Sequence, residues 1–393
     1  MPLDRRPSPG NTNLESFSND SVASEDEERI LNAEAALLEA GEHRTARPSG
    51  FPFLASPRQR ASPCGIARIV VSPMVVMVLG LTSLTWLPFL YVHLDGTLLN
   101  ALHICVLQTL VALMLVSYAQ VVWTDPGTVP EEWAERARVA LELHAQHAAP
   151  GSAAPMPVCR KSKLPKPPRA HFCSLTRRLV LNMDHFCPWV VNTVGFFNRK
   201  YFILFVAYTS ASCFYALFAS IPALLRVYVR HVATMAMRSN RLRGGAHGVL
   251  VAHAEAVVSD ASPEGRFVRY AEIALALGAF IDLIFGTMLL FFAAVHIKMA
   301  ASNETSIESG PRARRFSLGW RRNLESVFGR ARGDGLRGRW RWFIPLHFDG
   351  PVGDGVHWPT AEGGVLGSLD FGGGDEGWGK SRRRGGGRRE LSV

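Results

Sequence analysis

Four long stretches of the chain are almost free of charge. Ile69 to Val92, Leu98 to Trp123 and Tyr201 to Leu225 carry no charged side chain, and Ile273 to Ile297 has Asp282 as its only acidic residue. Each exceeds the ~20 apolar residues that carry a helix across the hydrocarbon of a bilayer. Buried helices of a large soluble core are the other reading, and the length of the runs argues against it. His93 to Thr97, between the first two runs, is long enough only for a turn. The pattern predicts an all-α, multi-pass membrane protein with four transmembrane helices.

The polar segments divide the rest. Residues 1–60 are rich in Ser, Pro and charge and read as a disordered N-terminal tail. Within it, Ser24 to Gly41 has the marks of one short helix, with Ser24 as N-cap, Glu27 at the capping-box position and Gly41 as terminator. Residues 61–123 form a first transmembrane hairpin. Residues 124–200 form a small domain between spans two and three, with a helix over Pro130 to His147 and an Ala/Pro/Gly linker. Residues 201–297 form the second transmembrane pair around a polar loop, 226–272. Residues 298–349 follow as a C-terminal segment, and the Gly- and Arg-rich stretch 350–393 reads as a disordered tail.

Charge sets the orientation. The 393 residues carry a formal net charge of +10. Eleven Lys and Arg fall in 124–200 and none in the turn between the first two spans, which places 124–200 in the cytosol. The loop 226–272 dissents, since it holds seven Arg and should lie on the far side. Such a basic surface suits anionic lipid or the phosphates of coenzyme A; no nucleic-acid motif appears, so nucleic acid is not expected as a partner. The six cysteines form no C-x-x-C pair, as in a reducing compartment.

The chemistry concentrates in Lys166 to Asn198, KPPRAHFCSLTRRLVLNMDHFCPWVVNTVGFFN. Asp184, His185 and Cys187 supply a carboxylate, an imidazole and a thiol, the inventory for nucleophilic acyl transfer. Pro188 and Trp189 follow directly. Thr124-Asp125-Pro126-Gly127 closes the second span with a turn spelling. Beyond the fourth span come Thr305-Ser306-Ile307-Glu308 and GWRRNLESVFG, Gly319 to Gly329.

These blocks closely resemble the DHHC family of protein S-acyltransferases, most like fungal vacuolar members. The family signature Asp-His-His-Cys stands here as Asp-His-Phe-Cys. The resemblance implies a small cytosolic cysteine-rich-type domain between spans two and three. It implies a protein S-palmitoyltransferase at an endomembrane (ER, Golgi or vacuole) that takes palmitoyl-CoA and acylates cytosolic cysteines of target proteins. Cys187 would be the nucleophile, His185 the general base and Asp184 its orienting partner. Trp189 would line the mouth of the acyl cavity, while Lys166 and Arg169 would face the coenzyme A phosphates. Thr305, Ser306 and Asn323 would brace the site, with Phe328 beside Asn323. Asp282, in mid-span, is expected to hydrogen-bond a neighbouring span, and Cys64 is a candidate acylation target.

Family members hold two zinc ions in this domain. The matching positions here are Cys159, Ser162, Phe172 and Leu179 for the first, and Cys173, Thr176, Phe186 and Thr193 for the second. Only the two cysteines are good ligands, so zinc is not expected. Phe172, Leu175, Leu179, Val180 and Phe186 are expected to pack as a small apolar core instead. The lost ligands also motivate a rival reading, an inactive relative serving as a membrane scaffold. A transporter is a further rival, and it should show inverted repeats or intramembrane ionisable pairs.

Overall fold

A computed structural model describes residues 72–94, 96–147, 156–243, 263–308, 310–331, 338–347 and 350–367. The expected Ser24–Gly41 helix and Cys64 lie outside the described residues. In chain order come helices α1 (Pro73–His93), α2 (Leu98–Trp123) and α3 (Glu131–His147). Four short strands follow: β1 (His171–Cys173), β2 (Arg178–Val180), β3 (His185–Cys187) and β4 (Asn192–Val194). Then come α4 (Arg199–Arg243), α5 (Pro263–Ala301), α6 (Pro311–Arg314), α7 (Trp320–Phe328), α8 (Trp340–Phe343), β5 (Trp358–Pro359) and β6 (Val365–Leu366).

Four helices, α1, α2, α4 and α5, are long and apolar enough to cross a membrane. Their exposed faces carry Leu, Val, Phe and Met, as a lipid-facing surface requires. Helix α4 runs along both α2 and α5, and α1 packs on α5. Two glycines on α5 sit where the neighbouring helices come near. A Cβ on Gly286 would come within 3.2 Å of the Cys213 Cβ, and one on Gly278 within 3.5 Å of the Leu84 carbonyl oxygen.

The small domain is two antiparallel hairpins, β1–β2 and β3–β4, seated on the end of α2. Cys159, Cys173 and Cys187 are spaced fourteen residues apart, and each lies four residues before a residue with positive φ: Lys163, Arg177 and Val191. The domain is therefore one turn used three times. The Asp-Pro-Gly turn fastens it to α2. Asp125 accepts from the Gly127 N–H at 2.8 Å and from Arg178 on β2 at 2.7 Å. Asn192 on β4 donates to the Val121, Val122 and Thr124 carbonyls, which the end of α2 leaves unpaired. Gly195 has to be glycine, because a Cβ there would sit 2.6 Å from the Pro126 carbonyl oxygen. The core of this hairpin is continuous with that of the bundle, where Cys187, Val190 and Val194 join Tyr118, Val121, Phe202 and Phe205.

Two expectations need correction. The polar loop 226–272 is helical at both ends: α4 continues through Arg243, and α5 begins at Pro263. Charged but helix-forming residues extend both spans beyond their apolar stretch, and Arg230 on α4 pairs with Glu272 on α5 at 2.6 Å. Residues 350–367, expected within a disordered tail, are ordered. Its β5–β6 hairpin buries Trp358 against Phe196 and Phe316, an anchor that the glycine-rich composition concealed.

Candidate active site

Strand β3 begins at His185 and ends at Cys187, so the two side chains share a face of the hairpin, two residues apart. Asp184 precedes the strand and is fully buried. Its Oδ2 lies 3.1 Å from His185 Nδ1. Its Oδ1 accepts from the Ser306 N–H, and the Ser306 hydroxyl donates to the Asp184 carbonyl at 2.6 Å. Burial raises the Asp184 carboxyl, but the hydrogen bonds from His185 and Ser306 and the charge of Arg199 outweigh it and hold the group well below the usual carboxylate range. Burial lowers His185. Its hydrogen bonds to Asp184 and to Cys187 win, and the imidazole is pushed up to about 9. The carboxylate is hydrogen-bonded to the imidazole, and the Cys187 thiol lies on the same strand face, close enough to act on the ring.

The site opens into a cavity of about 380 Å³ inside the helix bundle, lined by residues of α1, α2, α4 and α5 and by Cys187, Pro188 and Trp189. The lining is overwhelmingly apolar. Trp189 is 39% exposed at the cavity wall, and its carbonyl accepts from Tyr118 on α2 at 3.0 Å. The arrangement presents a thiol and an imidazole at the head of an apolar tunnel.

The remaining expected site residues divide. Thr305 is buried, and its hydroxyl accepts from the Glu308 N–H at 3.2 Å, which shapes the turn that presents Ser306. Asn323 is buried on α7 and donates to the Ala301 carbonyl at the end of α5 at 2.7 Å. Phe328 stacks on Trp342. Lys166 is half-buried, close enough to Cys159 for its charge to act on the thiol, and does not line the cavity. Arg169 is a correction. It is 4% exposed and donates to Glu308 at 2.8 Å and to the Asn303 side chain at 2.8 Å. Its guanidinium also lies over the Phe316 and Trp358 rings, at 4.9 and 4.4 Å from the centroids. Every face of the group is occupied, so it has none to offer a phosphate.

The positions that match the family's metal ligands are filled otherwise. Cys159, Leu179 and partly buried Phe172 belong to one apolar cluster with Phe196, Phe316 and Trp358, and the Ser162 hydroxyl is buried beside the Cys159 thiol. Cys173 clusters with Val180, Met183 and partly buried Phe186, and accepts from the Thr193 hydroxyl at 3.3 Å. Each place gathers one thiol and no imidazole, a donor set that does not fit zinc. His171 is committed elsewhere, 3.2 Å from Glu308. Leu175, expected in the apolar core, is 72% exposed at a hairpin turn.

Two contributors were missed in the sequence. His296 on α5 is buried, with its Nδ1 3.5 Å from Asp184 Oδ2 and its ring 5.7 Å from that of His185. The donor atoms of Asp184, His185 and His296 all lie within 4.8 Å of one another, and among the described residues no other such group of three occurs. Arg199, counted only as a charge, is fully buried behind Asp184 and donates to the Glu304 carbonyl. A polar residue within an apolar run was the available signal for His296; Arg199 had none beyond its place at the head of the third span.

Residues 155–310 match the family model described as DHHC palmitoyltransferase. "Probable protein S-acyltransferase 14" of Arabidopsis thaliana is 32% identical over 288 residues, covering 68% of this chain and 83% of that one. This chain belongs to the DHHC palmitoyltransferase family. "Probable protein S-acyltransferase 12" of Arabidopsis thaliana is 29% identical over 304 residues, 74% of this chain and 91% of its own. "Palmitoyltransferase pfa3" of Aspergillus fumigatus is 40% identical over 109 residues, 25% of this chain and 19% of its own. Within the DHHC family frame, Phe186 stands where the signature has its second histidine, and it packs into the Cys173 cluster.

Proposed function

We propose that this DHHC-family chain is a protein S-palmitoyltransferase working through an acyl-enzyme on Cys187. The Cys187 sulfur, its proton already held by the His185 imidazolium, attacks the carbonyl carbon of an acyl-CoA thioester. The carbon–sulfur bond to coenzyme A breaks, and the departing thiol takes the proton from His185. A target cysteine then gives its proton to His185 and attacks the acyl carbon. The Cys187 thioester breaks, and the proton stays on His185, as at the start. Asp184 holds the His185 Nδ1 side fixed through both steps. The observation that carries this reading is the junction of the Cys187–His185 pair with the apolar cavity. Each buried CH₂ of an acyl chain contributes about 0.8 kcal/mol there.

Palmitoyl-CoA is the donor in this reading, and Trp189 borders the carbonyl end of its chain. Lys166 remains a candidate for its phosphates; Arg169 does not. The partners are target proteins with cytosolic cysteines and membrane lipid, with no role for nucleic acid. The enzyme sits in an endomembrane with Cys187 facing the cytosol, and its catalytic domain folds without zinc. The test is in-gel labelling of the purified full chain with a clickable palmitoyl-CoA analogue. Wild type should take a hydroxylamine-sensitive label and Cys187→Ser none. A folded wild type that stays unlabelled would defeat the reading in favour of an inactive scaffold.

A further inference from the structure

The cavity is apolar along its length but not at its far end. Thr82, Thr85, Thr209 and Ser212 also line it, and each hydroxyl donates to a carbonyl of its own helix, at 2.8, 3.2, 2.6 and 2.8 Å. Two polar groups remain. Asp282 on α5 is 4% exposed and is held against the thiol of Cys213 on α4. A thiol is a weak hydrogen-bonding partner, with little to offer a carboxyl group. Trp86 on α1 lines the same cavity, and its indole Nε1 is buried with no hydrogen-bond partner. A carboxyl group in mid-span and an orphaned N–H are both costly among hydrocarbon.

The packing aims them at one place. Gly278 and Gly286 lie one turn to either side of Asp282 on the same helical face. Gly278 meets the α1 backbone at Leu84 and Thr85, and Gly286 meets Cys213 on α4. Asp282 therefore faces the seam where α1 and α4 both close on α5. Depth follows from helix rise. His296 packs beside Phe202 and His185, and Asp282 lies fourteen residues before it on α5. That separation is about 21 Å along the axis, comparable to an extended palmitoyl chain.

We infer that, among the acyl-CoAs this cavity accepts, it prefers a chain that carries a hydroxyl or similar hydrogen-bonding group at its far end, placed between Asp282 and Trp86. The hydroxyl oxygen accepts from the indole N–H, and its hydrogen goes to the carboxyl group. The inference rests on the acyl-transfer reading and adds the substrate class, an ω-hydroxylated fatty acyl-CoA.

The experiment is competitive self-acylation of the full-length protein in detergent with equal palmitoyl-CoA and ω-hydroxypalmitoyl-CoA, read by intact mass. Wild type should load the hydroxylated chain about fivefold to tenfold in preference, the effect of one net hydrogen bond or slightly more. Asp282→Leu should reverse that preference. Trp86→Phe, which keeps an aromatic ring and removes only the donor, should weaken it. Equal loading by wild type, or a ratio untouched by both substitutions, would overturn the inference while leaving acyl transfer intact. Loading of neither chain by folded wild type would overturn acyl transfer itself, and the inference with it.

Discussion

Asp184 receives more support than any other side chain in the site. His185, the Ser306 backbone and the buried Arg199 all bear on its carboxylate, and His296 stands 3.5 Å from Oδ2. These contacts differ in consequence. The Ser306 hydroxyl touches only the Asp184 carbonyl, so Ser306→Ala should slow self-acylation about fivefold, the worth of one hydrogen bond. Asp184→Asn removes the charge that holds the imidazolium and should cost on the order of a hundredfold or more. Single-turnover loading of the two variants measures the contrast, and equal losses would contradict this division of labour. Protonation of His185 also links to stability. Its folded value of about 9 exceeds the ordinary ~6.5, so the folded state binds this proton more tightly. The resulting stabilisation is complete below about pH 6.5 and disappears as pH rises through 9. Wild type should therefore lose melting temperature between pH 7 and 9.5 more steeply than His185→Gln. Parallel slopes in a thermal-shift series would refute the assignment.

At the level of elements, packed side chains occupy the positions that match the family's metal ligands. Arg169 ties the loop before β1 to the Asn303–Glu308 turn and is covered by Phe316 and by Trp358 of the last hairpin. Arg169→Met leaves the largely buried Glu308 carboxylate with His171 as its remaining partner and should cost about 3 kcal/mol of stability. Acyl-CoA KM in the protein that still folds should be unchanged; a raised KM with an unaltered melting temperature would restore Arg169 to the phosphate site. This element also marks where the sequence stopped being readable. The four spans were legible because runs this long without charge have few other solutions. Asp184, His185, Cys187 and Ser306 were legible because their spelling was. Arg169 was misjudged because a cation near a motif looks the same whether it is solvated or sealed, and what seals it comes from Trp358, 189 residues along the chain. The fourteen-residue spacing of Cys159, Cys173 and Cys187 was present in the sequence and passed over. His296 and the depth of Asp282 needed the helix packing itself.

For the whole molecule, orientation decides which cysteines can be acylated, and here the charges at first conflict. Eleven Lys and Arg in 124–200 argue for the cytosolic side, against seven Arg between spans three and four. The structure weakens the objection. Helix α4 has 45 residues, about 68 Å at 1.5 Å each, more than twice a ~30 Å hydrocarbon core. Its second half extends beyond that thickness, and Arg230 there is matched by Glu272. The segment around Cys187, by contrast, sits directly on the ends of α2 and α4. An N-x-S/T acceptor placed in 244–262 should be glycosylated when the chain is made in an ER membrane, and one placed in 148–155 should not. Glycosylation at 148–155 alone would turn the molecule over. Cys187 would then face the lumen, out of reach of cytosolic acyl-CoA, and the acyl-transfer reading would lose its donor.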